Sequence, residues 1–195
     1  DGEYITYSSD IKYTGSDRSI QNKINILNKI NDTKSGRKVI KELCKSENTY
    51  CITDKRENGP FEAHFCANDD VQGRKGGMIV TNGYNNLNTI SHELFHGYQD
   101  EKGQGGASIH NEVEAMIFEF SVIIQSEGGI NPIKGDNKAY NAAVDKLFTN
   151  YTNENMENVV NGFKLFARGK DTYKNYPIQR SNQKESLIKD FYPLY

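Results

Sequence analysis

Ile20, Ile24, Leu27 and Ile30 recur at three- and four-residue steps, the spacing that places side chains on one face of an α-helix, and they predict a first helix. A short extended segment, Tyr4 to Tyr7, precedes it. The turn-forming run from Asp32 to Gly36 is expected to break the helix, after which Val39, Ile40 and Leu43 mark a second, short one. The pattern then changes. Thr49–Thr53, Phe61–Cys66 and Met78–Thr81 are short runs rich in β-branched and aromatic residues, separated by Asn-, Asp- and Gly-rich stretches, and they predict strands. The third, opened by Gly76 and Gly77, leads directly into the next helical segment.

That segment spans Asn85 to Gln99. At 100° per residue, Leu87, Ile90, Leu94 and Tyr98 share one face, and His92 and His96 lie on the opposite one. A glycine-rich turn, Gly103 to Gly106, separates it from a long helix to Ser126, with Ser108 as N-cap and Gly128-Gly129 as its stop. Val113, Met116, Ile117, Phe118, Phe120, Val122, Ile123 and Ile124 make that helix apolar on most sides, so it is expected to be central. Two further helices are read at Asp136–Asn150 and Thr152–Phe166, and the tyrosine-rich remainder from Gly169 is read as irregular. Helices, a small sheet, then helices again define an α+β class. The 195 residues fit a single domain: 1–84 with helices and the small sheet, 85–127 with a helix pair, and 128–195 as a helical C-terminal part.

Ile, Leu, Val and Phe make up 43 of the 195 residues, enough for a core once twelve tyrosines are added. A net charge of -2 and a pI near 6.1 argue against a nucleic-acid partner, which demands concentrated Lys and Arg. Basic residues do gather near the C-terminus (Lys164, Arg168, Lys170, Lys174, Arg180, Lys184, Lys189), where they are read as a solvated face. No stretch approaches the roughly 20 apolar residues of a membrane span. Cys44, Cys51 and Cys66 have no zinc-ribbon spacing; Cys44 and Cys51 either close a short disulfide loop or stay as buried thiols. The chain starts at Asp1, so it is read as a processed product or an excised domain, acting as a monomer.

The strongest signal is His92-Glu93-Leu94-Phe95-His96, an H-E-x-x-H sequence. Histidines four apart on a helix stand one turn apart on the same face, so both imidazoles can reach one metal ion. Zinc (Zn2+) accepts imidazole nitrogen and prefers four tetrahedral ligands, three from the protein in a catalytic site. Glu93, beside the first histidine, is then placed to take a proton from an activated water. Glu101, Glu112, Glu114 and Glu119 are candidates for the third ligand. Glu101 is expected to be solvated in the turn after the helix. Glu112 and Glu114 project 200° apart, so only one of them can face the histidines, and Glu119 shares the face of Glu112 two turns on. Glu112, at the start of the returning helix, is favoured, with Glu114 left as a surface charge or a partner of a histidine.

His92 to His96 followed by Asn111-Glu112-Val113-Glu114-Ala115 resembles the gluzincin pattern of zinc metallopeptidases, in which the first glutamate of the second motif, here Glu112, is the third ligand. Such families often place an Asp four residues after that ligand. Met116 stands there in this chain, and Glu119 is expected to supply the missing support. Upstream, Ile26 to Ile30 and Ser35 to Ile40 followed by a strand are similar to bacterial secreted effector and toxin metallopeptidases. The resemblance implies a small zincin-like fold, export, and endopeptidase action on a protein or peptide substrate. Alternatives are a silent zincin-shaped binding module with a structural zinc and a zinc hydrolase acting on a non-peptide bond. His110 and His64 are read as a surface and a structural histidine, one of the tyrosines is expected to serve the oxyanion, and the strand ending near Thr81 is offered as an edge for an extended substrate.

Overall fold

Thr33 alone separates the first two helices. The computed structural model describes residues 11–14, 16–54, 63–67, 76–128, 138–167, 173–179 and 185–195. In it α1 (Asp17–Asp32) is capped by Ser16, whose side chain accepts from Ser19 N, and α2 (Lys34–Lys45) follows after one residue. Thr33 N donates to Ile30 O to close α1, while Thr33 Oγ1 accepts from Gly36 N to open α2. The break expected over Asp32 to Gly36 falls at Thr33, and Gly36 itself lies inside α2. A Cβ there would stand 2.0 Å from Ile30 O, so glycine lets the second helix begin against the end of the first. The buried face of α1 also differs from the expected row: Lys23, Ile26, Leu27 and Ile30 are buried, and Ile20 and Ile24 are only half-buried.

Four strands among the described residues form one mixed sheet in the order β1-β2-β4-β3. They are β1 (Ile11–Thr14), β2 (Thr49–Thr53), β3 (His64–Ala67) and β4 (Gly76–Val80). β1, β2 and β4 run parallel, and β3 is antiparallel to β4 with Phe65 opposite Ile79. The expected segment Tyr4–Tyr7 lies outside the described residues, as do the first two positions of the run Phe61–Cys66. β1 was not expected; its four residues lack a run long enough to show. β4 has a neighbour on each side, so it offers no edge. Among the described strands, β1 and β3 are the outer ones.

Beyond the sheet come α3 (Leu87–Glu101), α4 (Ile109–Glu127), α5 (Lys138–Thr149), α6 (Asn153–Ala167) and a 3-10 helix at Leu187–Phe191. α4 ends as its sequence predicts, on Gly128 in the left-handed region at φ 66°. α3 and α4 pack along each other, and one hydrophobic core runs from Ile11 to Leu194. Phe95, Phe118 and Phe191 meet at its centre with ring centroids 4.8 to 5.7 Å apart. The architecture is α+β, and none of the described helices is long and apolar enough to cross a membrane.

The last residues, read as irregular, hold the 3-10 helix and a set of core side chains. Leu187, Ile188, Phe191 and Leu194 are buried in the core, and Leu194 O accepts from Ser121 Oγ and Gln125 Nε2. Lys174 and Lys189 are exposed as expected and Lys164 is half-buried; Arg168, Lys170, Arg180 and Lys184 lie outside the described residues. No disulfide forms: Cys44, Cys51 and Cys66 are thiols.

Candidate metal centre

α3 begins on Asn86, whose side chain accepts from Thr89 N at 2.9 Å, and this start sets the helical phase of everything after it. Ile90, Leu94, Phe95 and Tyr98 enter the core, which leaves His92 and His96 together on the remaining face. Their Nε2 atoms are 3.2 Å apart. After α3 the chain reverses through Gly103 and Gly106, both at positive φ (65° and 104°), a conformation that favours glycine. Asn111 ties this turn to α4 by donating from Nδ2 to Gln104 O and Gly106 O at 2.9 and 2.7 Å. Ser108 caps α4 by accepting from Asn111 N at 3.1 Å. The first turn of α4 thus lies beside the histidines.

Glu112 faces them. Its Oε2 is 3.3 Å from His92 Nε2 and its Oε1 is 3.6 Å from His96 Nε2. His92, His96 and Glu112 each offer a ligand atom within 4.8 Å of the others. Glu114, two positions on, is fully buried on another side of the helix, where Leu187 N donates to its Oε1 at 2.7 Å. Glu119 also falls where it was expected: its Oε2 is 3.4 Å from His92 Nδ1, and its Oε1 accepts from Asn88 Nδ2 at 3.0 Å. Glu101 corrects its reading as a solvated residue. It ends α3 and accepts from Ser46, Asn48 and Tyr50.

Burial disfavours the charged form of both imidazoles, but Glu112 and Glu119 lift His92 well above its ordinary pKa, and Glu112 lifts His96. Burial would raise Glu112 as well, but His96 and His92 hold it below the usual carboxylate range. Glu93 behaves differently. It is 7% exposed, its Oε2 is buried with no hydrogen-bond partner, and burial pushes its pKa up against the pull of His96 and His92. A buried, unpartnered carboxylate oxygen costs free energy that the rest of the fold must offset.

His92, Glu93, His96 and Glu112 line a cleft of about 320 Å³. Its far wall includes His64 and Phe65 of β3, and Tyr173 and Tyr176 close another side. His64 is therefore a cleft residue. His110 is turned away, 9% exposed, with Nδ1 3.9 Å from Glu114 Oε1; it is buried, against its reading as a surface group. Tyr173 and Tyr176 are fixed indirectly: Ile109 N and His110 N, at the start of α4, donate to Pro177 O and Ile178 O at 2.9 and 3.0 Å. Nothing in the sequence separates these two tyrosines from the other ten, because only the packing of 173–179 on α4 brings them here. Gln99 was also missed. Its position three residues after His96, on the same helical face, is the signal that could have found it.

No protein-family model, curated protein or solved structure matches this chain.

Proposed function

We propose that this chain is a zinc-dependent endopeptidase of the gluzincin type with a zincin-like fold, holding its metal through His92, His96 and Glu112. One observation carries the reading: the Nε2 atoms of His92 and His96 and the carboxylate of Glu112 converge on one point, at spacings close to those of a tetrahedral site. Ligands about 2.0–2.1 Å from a zinc ion in a tetrahedron stand roughly 3.3–3.4 Å from one another. Here the two Nε2 atoms stand 3.2 Å apart, and the two oxygens of the Glu112 carboxylate lie 3.3 Å from His92 Nε2 (Oε2) and 3.6 Å from His96 Nε2 (Oε1). The histidine Nδ1 atoms face Gln99 Oε1 and Glu119 Oε2, both acceptors, so a neutral ring carries its proton on Nδ1 and turns the Nε2 lone pair inward. Two lone pairs and a carboxylate oxygen aimed at one point repel one another unless a cation joins them.

A bound zinc supplies Lewis acidity and brings the pKa of a coordinated water down to about 7. The chain's own residues support the rest. Glu93 is placed to accept the proton from the attacking water and to return it to the leaving amine, and its raised pKa suits a group that must both take and give. Tyr173 and Tyr176 border the cleft with pKa values raised by burial and by Glu112 and Glu93, so their hydroxyls stay protonated as donors to a developing oxyanion. β3, one of the two outer strands among those described, borders the cleft, and a sheet edge beside a cleft is where an extended peptide pairs. This favours a protein or peptide substrate, and the resemblance to secreted effectors favours export of the chain itself.

The test combines metal and activity. Purified protein is expected to hold about one zinc per chain. Glu93→Gln is expected to keep zinc and fold while peptide hydrolysis falls by roughly 10²–10⁴-fold. Glu112→Ala is expected to lose tight binding, because two ligands make a poor zinc site. A chain that takes up no zinc on titration, or a Glu93→Gln variant as active as wild type, sinks the proposal. Tight zinc with no hydrolysis of any protein tried points to a structural metal instead.

A further inference from the structure

Behind His96 a chain of hydrogen bonds runs through the core to the C-terminal segment. His96 Nδ1 faces Gln99 Oε1 at 2.8 Å. Gln99 Nε2 donates to Asn111 O at 3.1 Å and to Glu114 Oε2 at 2.9 Å. Glu114 Oε1 accepts from Ser186 Oγ and from Leu187 N. Gln99 and Glu114 are both fully buried and Ser186 is 6% exposed, so water has little part in this chain.

The direction of these bonds is determined. A backbone carbonyl can only accept, so the Gln99 atom facing Asn111 O is the amide nitrogen. Gln99 therefore presents its oxygen to His96, and that oxygen can only accept. In the neutral form that binds a metal, His96 then carries its proton on Nδ1, which leaves Nε2 as the bare nitrogen facing His92 Nε2 and Glu112.

We infer that Gln99 and Glu114 are positioning residues that fix the His96 tautomer and ring angle for metal binding, and that Ser186 and Leu187 complete them from the far end of the chain. The inference rests on the zinc reading and adds to it a dependence of the metal site on residues about ninety positions downstream of His96. It also accounts for a fully buried Glu114 that does not face the metal point. The carboxylate takes donors on both oxygens, so it holds the Gln99 amide in one orientation and links that orientation to the docked C-terminal segment.

The experiment measures zinc affinity, without using activity, by competition against a chromophoric chelator for wild type, Gln99→Met and Ser186→Ala. Melting curves of each in chelator and in excess zinc accompany it. Hydrogen-bond partners of metal-bound histidines typically contribute 10–100-fold in affinity. Gln99→Met is expected to lose about that much, and Ser186→Ala a smaller factor of at least about threefold, since Leu187 N still holds Glu114. The zinc-induced rise in melting temperature should shrink in step with affinity. Ser186→Ala removes one hydroxyl and keeps the packing, so it tests the idea even where Gln99→Met does not fold. Equal lowering of both melting curves with affinity within twofold of wild type means a merely structural role and overturns the inference. A wild-type chain that binds no zinc overturns both the inference and the function on which it rests.

Discussion

Glu112 and Glu114 show how position outweighs residue type. Both sit in the first turns of α4, yet one faces two histidines and the other faces Gln99 and the C-terminal segment. Two steps of 100° separate their side chains, so the helix gives the same functional group opposite surroundings. Asp54 is a second case at this scale. Lys23 is fully buried in α1 and its Nζ meets Asp54 Oδ2 at 2.9 Å, while Ser19, Thr81 and Asn85 also donate to that carboxylate. Burial alone would raise Asp54, but the hydrogen bonds from Ser19, Lys23 and Asn85 hold its pKa down at about 2. A carboxyl depressed in the folded state stabilises above its unfolded pKa, 3.8 here, and loses that contribution as pH falls toward 2. The expectation is a contribution on the order of 1–2 kcal/mol, after allowing for screening at a side chain one-quarter exposed. Urea midpoints of wild type and Asp54→Asn should converge between pH 4 and pH 2; a constant gap across that range counts against this account.

Among the elements, the α1–α2 corner depends on one glycine. Replacing glycine by alanine inside an exposed helix usually gains about 1 kcal/mol from propensity. At Gly36 the new Cβ would press on Ile30 O, a backbone atom that cannot swing aside, with Ile30 Cγ2 at 2.5 Å as a second obstacle. The steric cost outweighs the propensity gain, so Gly36→Ala is expected to destabilise by about 1–3 kcal/mol. Urea unfolding reads this directly, and a variant as stable as wild type would show that the corner opens freely. A turn signal in the sequence turned out to be a close contact between two helices. The same kind of ambiguity misled the strand reading: β4 has the expected composition, but which strands flank it is fixed by topology, and the outer strands among those described proved to be β1 and β3.

For the whole molecule, the C-terminal segment is the least legible part of the sequence and among the most consequential. Leu187, Ile188, Phe191 and Leu194 fall at i, i+1, i+4 and i+7, a helix-like spacing in a stretch too short to stand out as an element, and all four are at most 8% exposed. Burial of such side chains stabilises by about 1.5–3 kcal/mol each, an upper estimate for a real unfolded state. Together they approach the 5–15 kcal/mol of a typical domain's total stability. Deleting 185–195 is therefore expected to abolish cooperative folding, and Phe191→Ala, which empties the centre of the Phe95–Phe118 stack, to cost about 3–5 kcal/mol. Circular dichroism melts test both; a deletion variant that melts near the wild-type temperature would mean the segment only decorates a core complete without it.

Periodicity along the chain determined α1 to α6 and the strand-to-helix approach to the site, because helical and strand spacing are local properties. It also determined that His92 and His96 share a face and that Glu112 and Glu114 do not, since both follow from helical geometry alone. Tertiary structure decided the rest. The glycine turn and the Asn111 bonds bring Glu112 within 3.3 Å of His92, and the backbone of 177–178 on the α4 N-terminus brings Tyr173 and Tyr176 to the cleft. The Lys23–Asp54 pair, the strand order and the docked C-terminus each depend on contacts between residues tens of positions apart. Such contacts leave no period in a sequence, because they are set by which surfaces meet once the helices and sheet have formed.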